Sequence, residues 1–300
     1  MVSFGVHVAA FPDDPRKFGL LCKKIENLGF ASVWLADGLT RNMIDPLPGL
    51  AYASALTTRV KLGTCIYVMP VRHPIITAKL TATIDQLSGG RFILGAGVGW
   101  KEEEFTASGV SFERRGEVTD ECLQIIQQAW EIGEVNFQGN FYKISGVGMG
   151  LRPVQKPRPA VWVGGNGRSA AVRAARFGDY WIPTDYTVEE YEKSIGVYKE
   201  ACTRFSTSPD HVNVASHLMM IIDKDKAAAE AVAKSVGESM HSSLKEVKGW
   251  AIVGDPAEVV RRIEAYNAVG VNYHVFNFAT RLHDDAGVEL FAREVLPSFN

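Results

Sequence analysis

Residues Leu87–Trp100, with the sequence LSGGRFILGAGVGW, decide the fold of this chain. Ser88-Gly89-Gly90 predicts a turn, because glycine adopts positive φ angles without steric cost. The apolar run Arg91–Ala96 predicts a short strand buried on both faces, as in parallel sheets. Gly97-Val98-Gly99 leaves the backbone open where that strand ends, so that a planar or anionic ligand can approach the main chain. A strand-to-helix loop that needs small residues explains the same glycines, so this stretch alone leaves both interpretations open.

Strand and helix patterns alternate on both sides of this stretch. Apolar residues at steps of three and four predict helices over Asp13–Leu28, Pro48–Thr57, Pro74–Leu87, Phe112–Ile132, Arg168–Phe177, Val188–Phe205 and Asp285–Leu296, with a further helix starting at Asp255. Short apolar runs predict eight strands, over Ser3–Ala9, Ser32–Ala36, Val60–Ile66, Arg91–Ala96, Ala160–Val163, Asp179–Pro183, Val212–Ile222 and Val271–Phe276. Such alternation is typical of parallel βαβ units. We therefore predict an α/β fold, a (β/α)8 TIM barrel.

The region between the fourth and fifth predicted strands departs from this alternation. Val135–Phe137 and Phe141–Ile144 predict a hairpin around Gly139. Gly146–Pro159 is rich in glycine and proline and predicts an irregular excursion. We therefore expect an insertion between strands 4 and 5. Because no repeat, low-complexity tract or linker interrupts the chain, we expect residues 1–300 to form one domain.

Composition narrows the class of protein. The chain has 300 residues, 46% of them hydrophobic and 22% charged, with a formal net charge of -2 and no basic block. This balance disfavours nucleic acid or an anionic membrane as a partner. No apolar run approaches the ~20 residues of a membrane span, and Met1–His7 leads directly into a strand, so we expect no signal peptide. The four cysteines form no CxxC pair, which fits a reducing cytoplasm rather than a disulfide framework.

A TIM barrel places its active site at the carboxyl ends of the strands. The residues predicted to meet there are His7, Asp37, Cys65-Ile66, Gly97 to Glu103, Gly164-Gly165-Asn166 and Trp181. Gly164–Ser169 has the sequence GGNGRS and joins a buried strand to a helix, so its free backbone N–H groups predict a phosphate site. The alternative is a strand-to-helix turn that happens to be rich in glycine. Neither a P-loop nor a dinucleotide fingerprint is present.

Each candidate side chain also has a structural interpretation. Asp37 is equally well explained as a ligand contact or as a helix N-cap. Cys65 has no base beside it in the sequence, so a small buried hydrophobic residue is the simpler interpretation. The histidines, including His7 and His217, form no HxH, HxxxH or HExxH pattern, and we therefore predict no metal site. The absence of GxSxG disfavours a hydrolase.

Several motifs, taken in order, resemble one family over nearly the full length of the chain. They are Val33–Asp37, Leu62–Ile66, Arg72–Pro74, Leu87–Trp100 with Glu102–Phe105, Arg152–Gln155, Val161–Asn166, Gly178–Trp181 and Gly254–Pro256. On these residues the chain resembles the bacterial luciferase-like monooxygenase superfamily. The resemblance is strongest to its branch of oxidoreductases that depend on coenzyme F420, a deazaflavin.

The resemblance implies a flavin-type ring over the mouth of the barrel. It implies a non-proline cis peptide at Cys65-Ile66 behind the ring, and a cofactor contact at Asp37. It further implies ring contacts from Gly97, Val98, Gly99, Trp100 and Glu103, and a phosphate site formed by Val163, Gly164, Gly165, Asn166 and Ser169. Many relatives carry histidine directly after the aspartate, where this chain has Gly38. Trp100 stands where a relative that oxidises a sugar phosphate carries an acid, so the resemblance favours hydride addition to an unsaturated small molecule.

The predicted function is therefore hydride transfer between reduced coenzyme F420 and a small organic substrate. Asp37, His7 and Glu103 are the candidate catalytic residues, with Tyr67 a further possible proton donor. One alternative is a monooxygenase that uses FMN and oxygen, and another is a flavin-binding barrel without catalytic activity. Gly146–Pro159 and Leu39–Leu47 are expected to shape the substrate pocket, and the family resemblance implies a homodimer.

Overall fold

The computed structural model describes residues 2–8, 15–205, 213–279 and 285–299. Eight parallel strands form a closed barrel, and their bounds are β1 (Ser3–His7), β2 (Ser32–Leu35), β3 (Lys61–Thr64), β5 (Phe92–Gly97), β8 (Ala160–Gly164), β9 (Tyr180–Ile182), β10 (Val214–Ile222) and β12 (Val271–Phe278). They pair in the order β1, β2, β3, β5, β8, β9, β10 and β12, and β12 pairs with β1. The predicted TIM barrel is confirmed.

Two short strands and a hairpin accompany the barrel. The strands β4 (Tyr67–Val68) and β11 (Ile252–Gly254) pair in parallel with β5 and β10. The strands β6 (Glu134–Gln138) and β7 (Lys143–Gly148) form the separate antiparallel hairpin predicted around Gly139. Both short strands escaped prediction because two or three residues carry too little periodicity to identify a strand.

Helices connect the barrel strands. Their bounds are α1 (Pro15–Asn27), α2 (Pro46–Leu56), α3 (Pro74–Ser88), α4 (Glu102–Ser108), α5 (Arg115–Glu131), α6 (Arg168–Phe177), α7 (Val188–Arg204), α8 (Lys226–Ser239), α9 (Leu244–Trp250), α10 (Pro256–Ala268) and α11 (Ala286–Glu294). Side-chain caps start several of them, since Asp45 accepts from the Leu47 N–H at 3.0 Å and Asp255 from the Glu258 N–H at 2.9 Å. Among the helices described, none combines the length and the apolar character that crossing a bilayer requires.

Aromatic side chains fill the barrel interior. The Trp34 ring lies 4.6 Å from that of Trp162, and Trp162 stacks on Tyr180 at 4.2 Å, all measured between ring centroids. Glycines make room for these rings, because a Cβ atom at Gly63 would lie 2.2 Å from the Trp34 ring and one at Gly5 would lie 2.6 Å from its Nε1. The lower barrel is therefore a packed core, which leaves the mouth as the place for a site in this fold.

The predicted insertion between the fourth and fifth barrel strands is present as α4, α5 and the hairpin. Glu121 on α5 attaches the hairpin to the barrel. Its carboxylate accepts the backbone N–H groups of Asn140, Phe141 and Tyr142 at 2.6, 3.0 and 3.1 Å. A buried carboxylate with three such donors holds a loop that has few other regular hydrogen bonds.

Several predicted boundaries differ from those observed. The helix predicted from Phe112 begins at Arg115, because the Phe112 ring packs on Phe105 and its carbonyl accepts from the Arg115 guanidinium. The first three residues of the excursion predicted from Gly146 belong to β7, since Gly148 pairs with Glu134. The predicted boundaries at Ala9, Asp13 and Val212 lie outside the described residues.

Candidate active site

An apolar floor lies at the mouth, above β3, β5 and β8. The Cys65–Ile66 peptide bond is cis, as the resemblance implies. The Ile66 side chain rests on two glycines, because a Cβ atom at Gly97 would lie 2.4 Å from Ile66 Cδ1 and one at Gly164 would lie 2.3 Å from Ile66 Cγ2. The predicted positions Ile66, Gly97 and Gly164 therefore lie at one place. Glycine is required at positions 97 and 164, because a side chain there would overlap Ile66.

The chain approaches β5 closely just before this floor. A Cβ atom at Gly95 would lie 1.7 Å from the Thr64 carbonyl oxygen. The Thr64 hydroxyl donates to the Gly95 carbonyl at 2.8 Å and accepts the Gly95 N–H at 2.9 Å. Beyond Ile66 the chain returns to β5 as β4, which pairs Tyr67 with Ala96. The bulge that carries Ile66 is therefore held on both sides.

A cradle of backbone N–H groups adjoins the floor at the start of α6. Gly165 and Gly167 both have positive φ angles, of 124° and 81°, and turn the chain from β8 into the helix. The first N–H groups of α6 have no carbonyl partner within the helix, and Gly167 caps it without a side-chain hydrogen bond. Asn166 to Ser169 are exposed, and the first turn contains no acidic residue. This arrangement suits a phosphate group.

The Asn166 side chain itself supports the cradle. Its amide donates to the Thr184 carbonyl at 3.0 Å and accepts the Thr184 N–H at 2.9 Å. The Tyr186 hydroxyl accepts the Gly167 N–H at 2.7 Å. Both contacts come from the loop after β9, so the cradle depends on residues about twenty positions further along the chain. The backbone of Asn166, and not its amide, is therefore available to a ligand.

Asp37 lies deep in an ion-pair network. Its side chain is 1% exposed, and both carboxylate oxygens accept from the Arg72 guanidinium, at 2.5 and 2.9 Å. One of them also accepts the Val68 N–H at 2.9 Å. Burial raises the pKa of Asp37, and the Arg72 charge opposes that shift. Asp37 therefore holds β4 and Arg72 in place, and Asp45, not Asp37, caps the neighbouring helix.

His7 meets a second histidine at the mouth. His7 Nδ1 lies 2.9 Å from His217 Nε2, although 210 positions separate the two residues. His7 Nε2 is buried without a hydrogen-bond partner among the described residues. Burial lowers the pKa of His7 to about 3, with the His217 and Arg41 charges adding to the shift, and burial lowers that of His217 to about 4. Both rings are neutral at pH 7.

This histidine pair and the apolar floor face each other across the barrel. In the ring of eight strands, β3, β5 and β8 are consecutive, and so are β10, β12 and β1, with β2 and β9 between the two groups. His7 is on β1 and His217 is on β10. The mouth therefore has an apolar side with a phosphate cradle and a polar side opposite it. Sequence reasoning missed His217, whose strand shows no sign that it lies at the mouth.

The other candidate residues occupy varied positions. Burial raises the pKa of the Cys65 thiol to about 12, and that of Tyr67 to about 12, so neither ionises near neutral pH. Glu103 is exposed, and its ion pair with Lys101 lowers its pKa. Trp100 follows β5 with 73% of its surface exposed, so it is free to cover a bound ligand.

Two predicted residues, Val163 and Trp181, face away from the mouth. Val163 and Trp181 are fully buried in the outer core, and the Trp181 indole donates to the Gly165 carbonyl at 3.0 Å. Trp162 belongs to the aromatic interior described above. Val163 can therefore contact a cofactor only through its backbone, while Trp181 supports the cradle from behind. No group of metal-ligating side chains occurs within the described ranges.

The mouth thus combines an apolar floor, a non-proline cis peptide and a cradle of backbone N–H groups whose geometry suits a phosphate. The family model described as luciferase-like monooxygenase matches residues 3–247. The chain therefore belongs to the luciferase-like monooxygenase family.

Similar proteins use two kinds of cofactor. The chain is 28% identical to the F420-dependent glucose-6-phosphate dehydrogenase of Amycolatopsis mediterranei, over 99% of this chain and 98% of that one. It is 26% identical to the FMNH2-dependent dimethylsulfone monooxygenase of Pseudomonas putida, over 81% of this chain and 75% of that one. Its fold matches the coenzyme F420-dependent tetrahydromethanopterin reductase of Methanopyrus kandleri with a TM-score of 0.85 and 26% identity, covering 100% of this chain and 99% of that one.

Proposed function

We propose that this protein is an F420-dependent oxidoreductase that transfers hydride between the reduced cofactor and a small organic substrate. The observation that carries the proposal is the junction of the Ile66 floor with the cradle at Gly165–Ser169. One part fits a flat ring and the other fits the phosphate attached to it. Similarity to an F420-dependent dehydrogenase over 99% of this chain supports F420 as the cofactor.

The residues at the mouth fit the cofactor. Gly97 and Gly164 leave the space that the Ile66 side chain fills, so Ile66 forms the apolar surface against which a ring would lie. The backbone N–H groups of Asn166, Arg168 and Ser169 would hold the phosphate, because those of Gly165 and Gly167 already donate to the Ile182 carbonyl and the Tyr186 hydroxyl. Val98, Gly99 and Trp100, which follow β5, would flank the ring. Asp37 would act indirectly, because it positions Val68 and Arg72 next to the floor.

When bound, the cofactor supplies the hydride, and the protein supplies position and a dry pocket. Ile66, packed on Gly97 and Gly164, would limit how far the cofactor ring enters the barrel. The cradle would hold the cofactor phosphate and so fix the orientation of the ring across the mouth. Trp100 would exclude water from above. The neutral pair of His7 and His217 gives the opposite wall hydrogen-bonding groups without charge, which suits a neutral polar substrate. We propose hydride addition to an unsaturated small molecule as the reaction.

Fluorescence titration with F420 and with FMN, in separate experiments, tests this proposal. We expect saturable binding of F420 and no oxygen consumption during turnover. Saturable binding of FMN with oxygen consumption would establish the monooxygenase alternative instead. Binding without turnover of any acceptor supports a non-catalytic flavin-binding barrel, and no saturable change with either cofactor would refute both enzyme hypotheses.

We also propose a homodimer. Ile76, Leu80 and Leu87 form an exposed apolar stripe along α3, and Tyr52 on the neighbouring α2 is exposed as well. A second copy of the chain is the occupant that the family resemblance implies for this face. All four cysteines are buried and none of them forms a disulfide, which supports our proposal of a reducing cytoplasm. The single barrel with its insertion supports our proposal of one domain.

A further inference from the structure

We propose that Asp185 is the group that exchanges a proton with the substrate over the cofactor. The inference rests on the proposed function and adds the acid–base residue that function lacks. Asp37 is locked in an ion pair, Glu103 lies in an exposed ion pair, and His7 is held neutral. Asp185 is a carboxyl at the mouth that none of these contacts occupies.

Backbone geometry aims Asp185 at the mouth. It follows the end of β9, where an active-site residue of a barrel belongs. Its φ angle is 54°, a left-handed conformation that is uncommon for a residue with a side chain. The Asp185 N–H donates to the His217 carbonyl at 2.9 Å, and its carboxylate accepts the Met219 N–H. These contacts on β10 hold the residue and leave carboxylate acceptor sites uncommitted.

The Asp185 carboxyl lies where the two halves of the site meet. Thr184, directly before it, is held by Asn166 of the cradle, and His217, its backbone partner, contacts His7. Its charge raises the pKa of the Cys65 thiol, next to the Ile66 floor on the other side of the barrel. A carboxyl near both the floor and the histidine pair is within range of a ring and of a substrate between them.

The surroundings favour the protonated form. Asp185 as a whole is exposed, yet the neighbours of its carboxyl desolvate that group and raise its pKa to about 6, while the Met219 N–H opposes the shift. The titratable groups that face it from packed elements are His217 on β10, Tyr191 on α7 and Tyr266 on α10, with Cys65 across the mouth. An acid with such a pKa serves as both donor and acceptor near neutral pH.

Proton transfer from Asp185 balances the proposed hydride transfer. In the reductive direction, one atom of the substrate double bond would receive the hydride that the bound reduced cofactor supplies. The carboxyl of Asp185 gives its proton to the other atom and becomes a carboxylate. Solvent restores that proton, since the residue is exposed. The reverse reaction returns the proton to the same carboxylate.

Carboxyl 13C NMR titration of the cofactor-free protein tests the proposal directly. We expect one aspartate resonance with a midpoint near pH 6 that disappears in Asp185→Asn. Asparagine accepts the same Met219 N–H and tolerates a left-handed conformation, so the variant should fold. Asp255→Asn is the matched control, because asparagine also serves as an N-cap there and the site is remote. A midpoint for Asp185 near the ordinary aspartate value would contradict the inference.

Cofactor addition gives the second readout. Saturating F420 should move the Asp185 midpoint by about half a pH unit or more, because the ring desolvates the carboxyl further. An unchanged midpoint with cofactor bound would also overturn the inference. If FMN binds in place of F420, the same titration is made with FMN, and only the cofactor assignment fails. If neither F420 nor FMN binds, the proposed function fails. The midpoint measured for Asp185 in the cofactor-free protein then still shows whether its pKa is raised.

Discussion

Asp37 and Asp185, two aspartates at the same mouth, differ because their neighbours differ. Both are shifted upward in pKa by desolvation. Arg72 faces Asp37 and pairs with both of its oxygens, whereas among the described residues only a backbone N–H reaches the Asp185 carboxyl. An ion pair commits a carboxylate to structure, and a desolvated carboxyl without a cation is free to exchange a proton. The roles of the two residues follow from these partners.

The ion pair of Asp37 gives a residue-scale prediction. Asp37→Asn keeps an acceptor for the Val68 N–H but removes the charge that Arg72 needs, so we expect about 3 kcal/mol less stability in denaturant unfolding. Asp45→Asn is the control, because Asp45 also pairs with Arg72 but its side chain is 43% exposed. The control should cost less than about 1 kcal/mol. Equal losses would contradict the structural role of Asp37.

The contact between Gly164 and Ile66 gives a second residue-scale prediction. Gly164→Ala should cost about 1–3 kcal/mol, because its new methyl group overlaps the Ile66 side chain. Combining it with Ile66→Ala should cost at least about 1 kcal/mol less than the sum of the two single changes. Gly196→Ala is the control, since nothing lies within 4 Å of the added atom in α7, and it should be stabilising. Additive losses in unfolding experiments would rule out the packing contact.

Among the helices, α6 has the start that we propose as the binding site of a ligand phosphate. Most helix starts described here are closed by a side chain, such as Asp45 for α2, Thr187 for α7 and Asp255 for α10. The start of α6 has Gly167 and no side-chain cap. Its N–H groups and its share of the helix dipole are therefore available to an anion.

A negative charge at the start of α6 should change the stability of the protein and its affinity for the cofactor in opposite directions. Ser169→Asp should raise the stability of the free protein by about 0.3–1 kcal/mol through the helix dipole. The same carboxylate should repel the cofactor phosphate, so that affinity in the fluorescence titration falls at least about tenfold. Ala227→Asp places a carboxylate in the first turn of α8, away from the mouth, and should leave cofactor affinity unchanged. Unchanged affinity in Ser169→Asp would exclude the cradle as the phosphate site.

At the scale of the whole molecule, barrel closure buries several neutral histidines. His274 lies between Ser216 and Asn267, each 2.8 Å from one of its ring nitrogens, and burial lowers its pKa to about 3. His7 and His217 share the mouth in the same neutral state. The folded protein must protonate these rings against burial, whereas the unfolded chain protonates them freely below pH 6.5.

Stability should therefore fall as the pH drops below about 6.5. Each of the three histidines binds its proton more readily in the unfolded state, while Asp185, with a raised pKa, binds its proton more readily in the folded state. Near pH 5 the unfolded chain binds more protons than the folded protein, so the free energy of unfolding should fall by about 2–3 kcal/mol for each pH unit of acidification. His274→Gln should reduce that slope by about 1.4 kcal/mol per pH unit. Denaturant unfolding at several pH values measures both slopes, and a stability independent of pH between 6 and 4.5 would contradict the account.

The apolar stripe on α3 gives a prediction about assembly. Leu80→Glu should convert a dimer to monomers in sedimentation velocity, because a charge would be buried against the second copy. Ile132→Glu is the control, since Ile132 is an exposed apolar residue at the end of α5. It should leave the sedimentation coefficient unchanged. A wild-type protein that sediments as a monomer would refute the homodimer.

Much of the fold and part of the site could be predicted from the chain alone. Helices and parallel strands follow from apolar periods of 3.6 and from buried runs, and glycines at strand ends, as at Gly97 and Gly164, mark positions where a neighbour packs too closely for a side chain. These are local properties, since neighbouring residues determine them. The strands that were missed, such as Tyr67–Val68, are too short to show a period.

The sequence by itself determined the barrel, the insertion, and the glycines that open the mouth. Only the tertiary structure decided which polar side chains act together there. His7 and His217 meet across 210 positions, and Asp37 finds Arg72 across 35. The protonation state of a side chain and the partner that it contacts depend on desolvation and on distances of a few ångströms. The closure of the barrel sets the desolvation and the distances. For that reason Asp185, a residue with no motif around it, became visible only in the folded protein.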